Sequence, residues 1–206
     1  LNQETDLGCD LKVVPLEGWH RQQWYDQTGL KWISPSPNMP TLETAIVYPG
    51  MCLLEGTNVS EGRGTTRPFE LSGTPWINPT QMVRELDRMD LPGVVFRPVH
   101  FTPTFHKWAS ERIGGVQIHV SDRGTFRPVL TGLALLTLYR NVGEDRFAWK
   151  SPPYEYETEK LPIDILCGTD RIRRLIEAGA GLDDLQNSWK IGLQKFREIR
   201  PKYLLY

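Results

Sequence analysis

The sequence predicts an α+β protein, with a mixed or antiparallel sheet that could close toward a barrel and helices flanking it. Two patterns predict it. Strand-like runs concentrate in the first half of the 206 residues and helical periodicity in the second, without the regular alternation that a parallel sheet requires. The composition also allows a core. Hydrophobic residues make up 39% and charged residues 24%, the balance of a globular protein rather than a disordered one.

The elements follow in chain order. Leu11 to Leu16 reads as a strand with Pro15 near its end. Gly18 to Gly29 is a short aromatic and polar segment carrying Trp19, Trp24 and Tyr25. Ser34-Pro-Ser-Pro-Asn-Met-Pro40 must be a rigid extended loop, because each Pro fixes its own φ and restricts the residue before it. Thr41 caps a short helix through Tyr48. Met51 to Glu55 reads as an apolar strand feeding the Gly-rich run Gly56 to Thr66, and Pro68 to Leu71 as extended chain.

Asn78 and Pro79 open a helix to about Met89, Asn at the cap and Pro at the first turn. Val94 to Thr102 and Gly115 to Ser121 are strands. In the second, Val116, Ile118 and Val120 point one way, Gln117, His119 and Ser121 the other. Pro128 to Asn141 is a mostly buried helix. Thr169-Asp170 opens another, to about Ala178. Leu182, Leu185, Trp189, Leu193 and Phe196 recur at helical spacing, which predicts one amphipathic helix packed on the core, and the apolar tail Tyr203 to Tyr206 should dock.

Charge and cysteine narrow the function classes. With 24 Lys+Arg against 25 Asp+Glu the net charge is -1, so no cation excess exists to grip a nucleic-acid backbone. The longest apolar stretch, Val129 to Tyr139, is about half a bilayer span, so no membrane span is expected. Three Cys without a Cys-x-x-Cys pair indicate neither a disulfide framework nor a zinc site; buried thiols, with at most one bridge, are the expectation. Residue 1 is Leu and no basic, then apolar, leader follows, so any signal peptide is expected to have been removed or to lie outside these residues. Seven Trp suit either a sugar or peptide cleft or a core rich in large aromatics.

Unusual chemistry concentrates between Glu55 and Glu70, where Gly56, Gly62 and Gly64 stand among Glu55, Asn58, Ser60, Glu61, Arg63 and Arg67. Carboxylates beside an Arg on a permissive backbone suit a site that handles protons and holds an anion. A solvated loop whose charges pair with one another is the other reading. No Lys stands in the loop and no helix clearly follows, against a phosphate loop. His119 occupies the polar face of its strand, as a catalytic or a merely hydrogen-bonded residue would, while His100 and His106 show no ligand geometry. The patterns of zinc proteases, α/β-hydrolases and thiol enzymes are missing, which leaves carboxylate chemistry without metal or cofactor.

Trp32-Ile-Ser-Pro-Ser-Pro-Asn-Met-Pro-Thr41, Tyr48-Pro-Gly50 and the run Glu55 to Glu70 resemble the bacterial family known as domain of unknown function 1343. Gly115 to Arg123 and the ending Phe196 to Tyr206 fit it too, so the resemblance covers nearly the whole chain. Characterised members are NamZ-type exo-β-N-acetylmuramidases, glycoside hydrolases of peptidoglycan recycling.

The resemblance implies a two-domain protein with a Rossmann-like N-terminal half and a substrate cleft between the halves. Residues 1–206 would then be a single C-terminal domain, with that other half as partner, muramyl saccharides as substrate and an extracytoplasmic location. The glutamate usually proposed as catalytic lies in the N-terminal half and maps onto no residue here. This half would supply a cleft wall, with Glu61 as the catalytic candidate, or as a residue that orients water, and Asn38, Glu55, Asn58, Arg63, Arg97 and His119 as substrate-binding candidates. Glycoside hydrolysis needs two cooperating carboxyls, and an Arg is the natural partner for the lactyl carboxylate of N-acetylmuramic acid, Arg63 first and Arg97 second. Asn58, Glu61, Arg63 and His119 are expected to converge in one pocket. A non-catalytic sugar-binding or interaction domain is the alternative.

Overall fold

A computed structural model describes residues 2–205. Two compact units make up the chain, one of residues 1–31 with 192–206, the other Trp32–Ile191.

The larger unit holds the sheet. Strands β1 (Leu71–Thr74), β2 (Val94–Phe101) and β3 (Ile113–Val120) form an open antiparallel sheet in the order β1-β3-β2. The sequence reading of an α+β fold with an antiparallel sheet therefore holds. The barrel-like closure is not seen among these three strands. The alternation read from β3 is also observed, with Val116 and Ile118 buried while His119 is exposed. Pro98 is accommodated because β2 is an edge strand, where one missing donor costs no ladder bond.

Helix α1 (Leu42–Met51) starts where Thr41 accepts from the Thr44 N–H. It runs past Tyr48 and continues as a 3-10 helix over Cys52–Gly56. The apolar run expected as a strand at Met51 to Glu55 is therefore helical. Its residues are buried almost all round, and a short run without polar alternation cannot distinguish strand from helix. Helix α2 (Pro79–Arg88) begins at Asn78, whose side chain accepts from the N–H groups of Thr80 and Gln81. Helix α3 (Pro128–Gly143) is largely buried. It meets α1 so closely that a Cβ on Gly132 would lie 2.2 Å from the Gly50 carbonyl oxygen.

Short helices α4 (Pro162–Leu166), α5 (Arg171–Glu177) and α6 (Leu182–Asn187) complete this unit's helical layer. The long amphipathic helix does not form as one piece. It breaks at Ser188 and Trp189 before α7 (Lys190–Ile199). Leu185 is fully buried and Trp189 partly so against the core, but Leu193 and Phe196 stay 39% and 57% exposed. Hydrophobic spacing alone did not reveal that the stripe stops being covered.

The smaller unit has little regular structure beyond 3-10 helices at Tyr25–Thr28 and Arg200–Tyr203 and most of α7. The strand expected at Leu11 to Leu16 is irregular, with Val14 91% exposed, since no partner strand pairs with it among the described residues. The Tyr203 hydroxyl bonds the Glu4 carboxylate. Leu205 remains exposed, so the tail does not bury itself as expected, and Tyr206 lies outside the described residues. Cys9 is exposed, Cys52 and Cys167 are half-buried, and all three are free thiols, which corrects the expectation of buried ones. Among the described residues no helix is long and apolar enough to cross a membrane.

Candidate functional site

The Gly-rich segment is anchored at both ends. Ser60 exchanges two backbone hydrogen bonds with Gly73 along the outer edge of β1, at 2.9 and 3.0 Å. Beyond it the chain folds back on itself, with the Phe69 N–H donating to the Glu61 carbonyl at 2.6 Å. Gly62 and Gly64 permit this turn. Their φ angles are 78° and 81°, and a Cβ would lie 2.7 Å from the Leu71 carbonyl oxygen and 2.6 Å from that of Phe105.

This fold buries the Glu61 side chain completely. Oε2 accepts from Lys107 Nζ at 2.8 Å. Oε1 has Arg63 Nε and His106 Nδ1 each at 3.2 Å. Burial by itself raises the carboxyl pKa, but His106, Lys107 and the loop backbone outweigh it and hold Glu61 at about 2. Glu61 is thus an ionised acceptor at neutral pH, the opposite of a proton donor.

The web extends on both sides. Lys107 also donates to the carbonyls of Leu54 and Val59, both at 2.9 Å. Burial draws its ammonium below the ordinary range even so, although Glu61 opposes the shift. Arg63 reaches Glu55 through Nη2 at 2.8 Å and stacks over the Phe69 ring. Burial lowers the Arg63 guanidinium, but Glu55 and Glu61 leave it raised overall. Glu55 accepts in addition from the Tyr154 hydroxyl at 2.9 Å.

The exposed side of this web is the His106 ring, 41% accessible. It lines a shallow cavity with Asn58, Lys107, Trp108 and Lys150. His106, Trp108 and Ser110 all hold positive φ, at 71°, 57° and 66°. Non-glycine residues in that region are strained and persist where the surroundings over-determine them. Asn58 braces the cavity wall. Its amide donates to the Arg146 carbonyl at 2.8 Å and accepts from the Ala148 N–H at 3.1 Å, while its own carbonyl accepts from the Trp108 indole at 2.7 Å.

Of the residues singled out in the sequence, Arg63 touches both Glu55 and Glu61, and Asn58 lines the adjoining cavity. Asn38 is half-buried in the Pro-rich loop, and among the described residues no hydrogen bond or ion pair ties it to Glu61. The expected convergence fails for His119. Side-chain alternation on β3 sends it into a different cavity, with Arg67, Glu70 and Gln117. Arg97 lies opposite Gln117 on β2 and donates to its side-chain carbonyl. Sequence reasoning missed Lys107, Tyr154 and Trp108, and dismissed His106. The only signal was a His-Lys-Trp run between two strands, and nothing in its spacing pointed to Glu61, some 45 residues away. Among the described residues no group of three or more His, Cys, Asp or Glu is arranged to hold a metal ion.

Comparison with known proteins relates the chain to others by sequence and by fold. Residues 46–206 match the model of the family described as exo-beta-N-acetylmuramidase NamZ, C-terminal, and residues 1–43 that of its N-terminal counterpart. The chain is 42% identical over 205 residues to the peptidoglycan beta-N-acetylmuramidase NamZ of Bacillus subtilis strain 168, covering all of this chain and 48% of that protein. The crystal structure of a DUF1343 family protein from Bacteroides fragilis superposes with a TM-score of 0.87 at 30% identity, covering 100% of this chain and 53% of that one. A second from the same organism gives 0.67 at 27%, with 96% and 49% covered. The chain spans about half the length of these relatives.

Proposed function

The chain belongs to the NamZ exo-β-N-acetylmuramidase family, and from that premise we propose that it is the C-terminal part of a peptidoglycan glycoside hydrolase. The reaction is removal of N-acetylmuramic acid from non-reducing ends. Residues 1–206 supply one wall of the substrate cleft, and a Rossmann-like N-terminal half supplies the other together with the principal carboxylate. The extracytoplasmic location expected for the family is part of the same proposal.

One observation carries the reading at the level of residues. A buried carboxylate that is ionised at neutral pH stands 3.2 Å behind a partly exposed imidazole at the edge of a cavity. A carboxylate in that position backs the ring from the protein side, so His106 stands at the cavity edge within reach of a substrate hydroxyl or a proton in transit. Glu61 then serves as a positioning residue, acting through His106 and Arg63 rather than on the sugar itself. Proton donation to the leaving oxygen falls to the other half, since Glu61 has no proton to give.

The test is hydrolysis of a chromogenic β-N-acetylmuraminide by the 206-residue chain alone and by the chain joined to its N-terminal half. The joined protein should release N-acetylmuramic acid and the chain alone should not. Robust turnover by the chain alone overturns the division between halves, and none by the joined protein overturns the reaction.

A further inference from the structure

Arg63 suits a substrate carboxylate by residue type, but it is occupied. Its Nε faces Glu61 and its Nη2 faces Glu55, with the guanidinium stacked on Phe69. A second cluster of donors lies elsewhere, around a cavity of about 240 Å³ bounded by the start of α1, the far end of the Gly-rich segment and the polar face of β3. Glu43, Arg67, Glu70, Gln117, His119 and Arg123 line it.

Its donors are held in place from behind. Glu70 is 4% exposed and accepts from the Thr44 hydroxyl at 2.7 Å and from Arg67 Nη1 at 3.1 Å. That contact fixes the Arg67 side chain but uses one nitrogen of three, and among the described residues nothing else engages its guanidinium. Arg97 Nε and Nη2 both donate to Gln117 Oε1, which leaves the amide NH₂ as the end free to donate. The His119 ring has no hydrogen-bond or ion-pair partner among the described residues. Arg123 stands 3.8 Å from Glu43.

The charges select the ligand class. Two guanidinium groups, at residues 67 and 123, line the cavity with two carboxylates, at 43 and 70, and Arg97, bonded to Gln117 from outside the lining, brings one further cation beside it. With two glutamates in the lining and one further cation beside it, a singly charged carboxylate meets less repulsion than a phosphate dianion and matches the Arg fork. Glu43, with a side chain 60% exposed, can accept from a neighbouring hydroxyl.

We propose that this cavity is a second binding site, one that takes a carboxylate carried on a hydroxylated ligand, with Arg67, Gln117 and His119 as its donors. Its preference for a carboxylate rests on these residues alone. That the carboxylate is the lactyl group of N-acetylmuramic acid rests on the function proposed above.

The test follows the Gln117 side-chain amide and His119 ring resonances of the 206-residue chain by NMR. The titrants are N-acetylmuramic acid, N-acetylglucosamine (the same sugar without the lactyl group) and sodium D-lactate. N-acetylmuramic acid and lactate should shift both sets of signals, and N-acetylglucosamine should not. Arg67→Gln should weaken N-acetylmuramic acid binding about tenfold or more, since a hydrogen bond to a charged group is lost. Gln117→Glu sets a third carboxylate in the wall at a partly exposed strand position and should abolish binding even if the first variant folds poorly. No shift with N-acetylmuramic acid, an equal response to both sugars, or undiminished binding by Gln117→Glu overturns the site. A response to lactate without one to N-acetylmuramic acid overturns its assignment to the sugar. Loss of the hydrolase reading alone, with the N-acetylmuramic acid shifts intact, leaves the site standing.

Discussion

Lys107 Nζ donates to Glu61 Oε2 at 2.8 Å, and this bond joins the segment after β2 to the centre of the Gly-rich segment. The ammonium spends its remaining donors on two backbone carbonyls, so the pair is both neutralised and fully hydrogen-bonded on the Lys side. Removing Lys107 orphans the buried Oε2 and leaves Glu61 with Arg63 and His106 beside Oε1 alone. Lys107→Met should therefore destabilise the protein by about 3–5 kcal/mol, measured by urea unfolding. A loss under about 1 kcal/mol would mean that Glu61 finds other compensation.

The depressed Glu61 carboxyl also sets a pH dependence. Its folded value is about 2 against an ordinary 4.5, so between those values the unfolded chain binds the extra proton. The stabilisation is fully present above about pH 4.5 and is lost as pH falls toward 2. Glu61→Gln has no such group. The stability gap between wild type and this variant should shrink steadily from pH 5 to pH 3, and a constant gap would contradict the ionised assignment.

Backbone contact between α1 and α3 gives a prediction of sign. A Cβ on Gly132 would lie 2.2 Å from the Gly50 carbonyl, whereas one on Gly192 in α7 meets nothing within 4 Å. Gly132→Ala should cost roughly 1–3 kcal/mol by overpacking. Gly192→Ala should gain up to about 1 kcal/mol from helix propensity. Melting temperatures moving in the same direction would refute the contrast.

The break between α6 and α7 is tested by leucine truncation. Leu185 is fully buried and Leu193 is 39% exposed. Leu185→Ala should cost about 2–5 kcal/mol, and Leu193→Ala less than about 1 kcal/mol. Comparable losses would restore the single packed helix that the spacing suggested.

What the sequence made legible depended on how local the cause was. Asn78 and Thr41 cap their helices through groups two or three residues away, and β3 shows its faces by strict alternation, so those elements were readable. Met51 to Glu55 was not, because a residue run buried all round has no period. The end of the stripe at Trp189 was not, because coverage depends on what packs opposite. At the site, the glycines and charges of the loop marked Glu55, Glu61 and Arg63 as a group. His106 and Lys107 escaped because their partner is brought to them only by the return of the chain after β2. The same locality misplaced His119: its face was right, but two ends of one sheet were taken for one pocket.

The most direct test is the kcat of Glu61→Gln in the chain joined to its N-terminal half, assayed on a chromogenic β-N-acetylmuraminide below the variant's own melting temperature. If the ionised carboxylate behind His106 serves the reaction, kcat should fall by roughly 10²-fold or more while KM changes little. An unchanged kcat in the folded variant would contradict that role and leave the Glu61 web as a structural anchor alone.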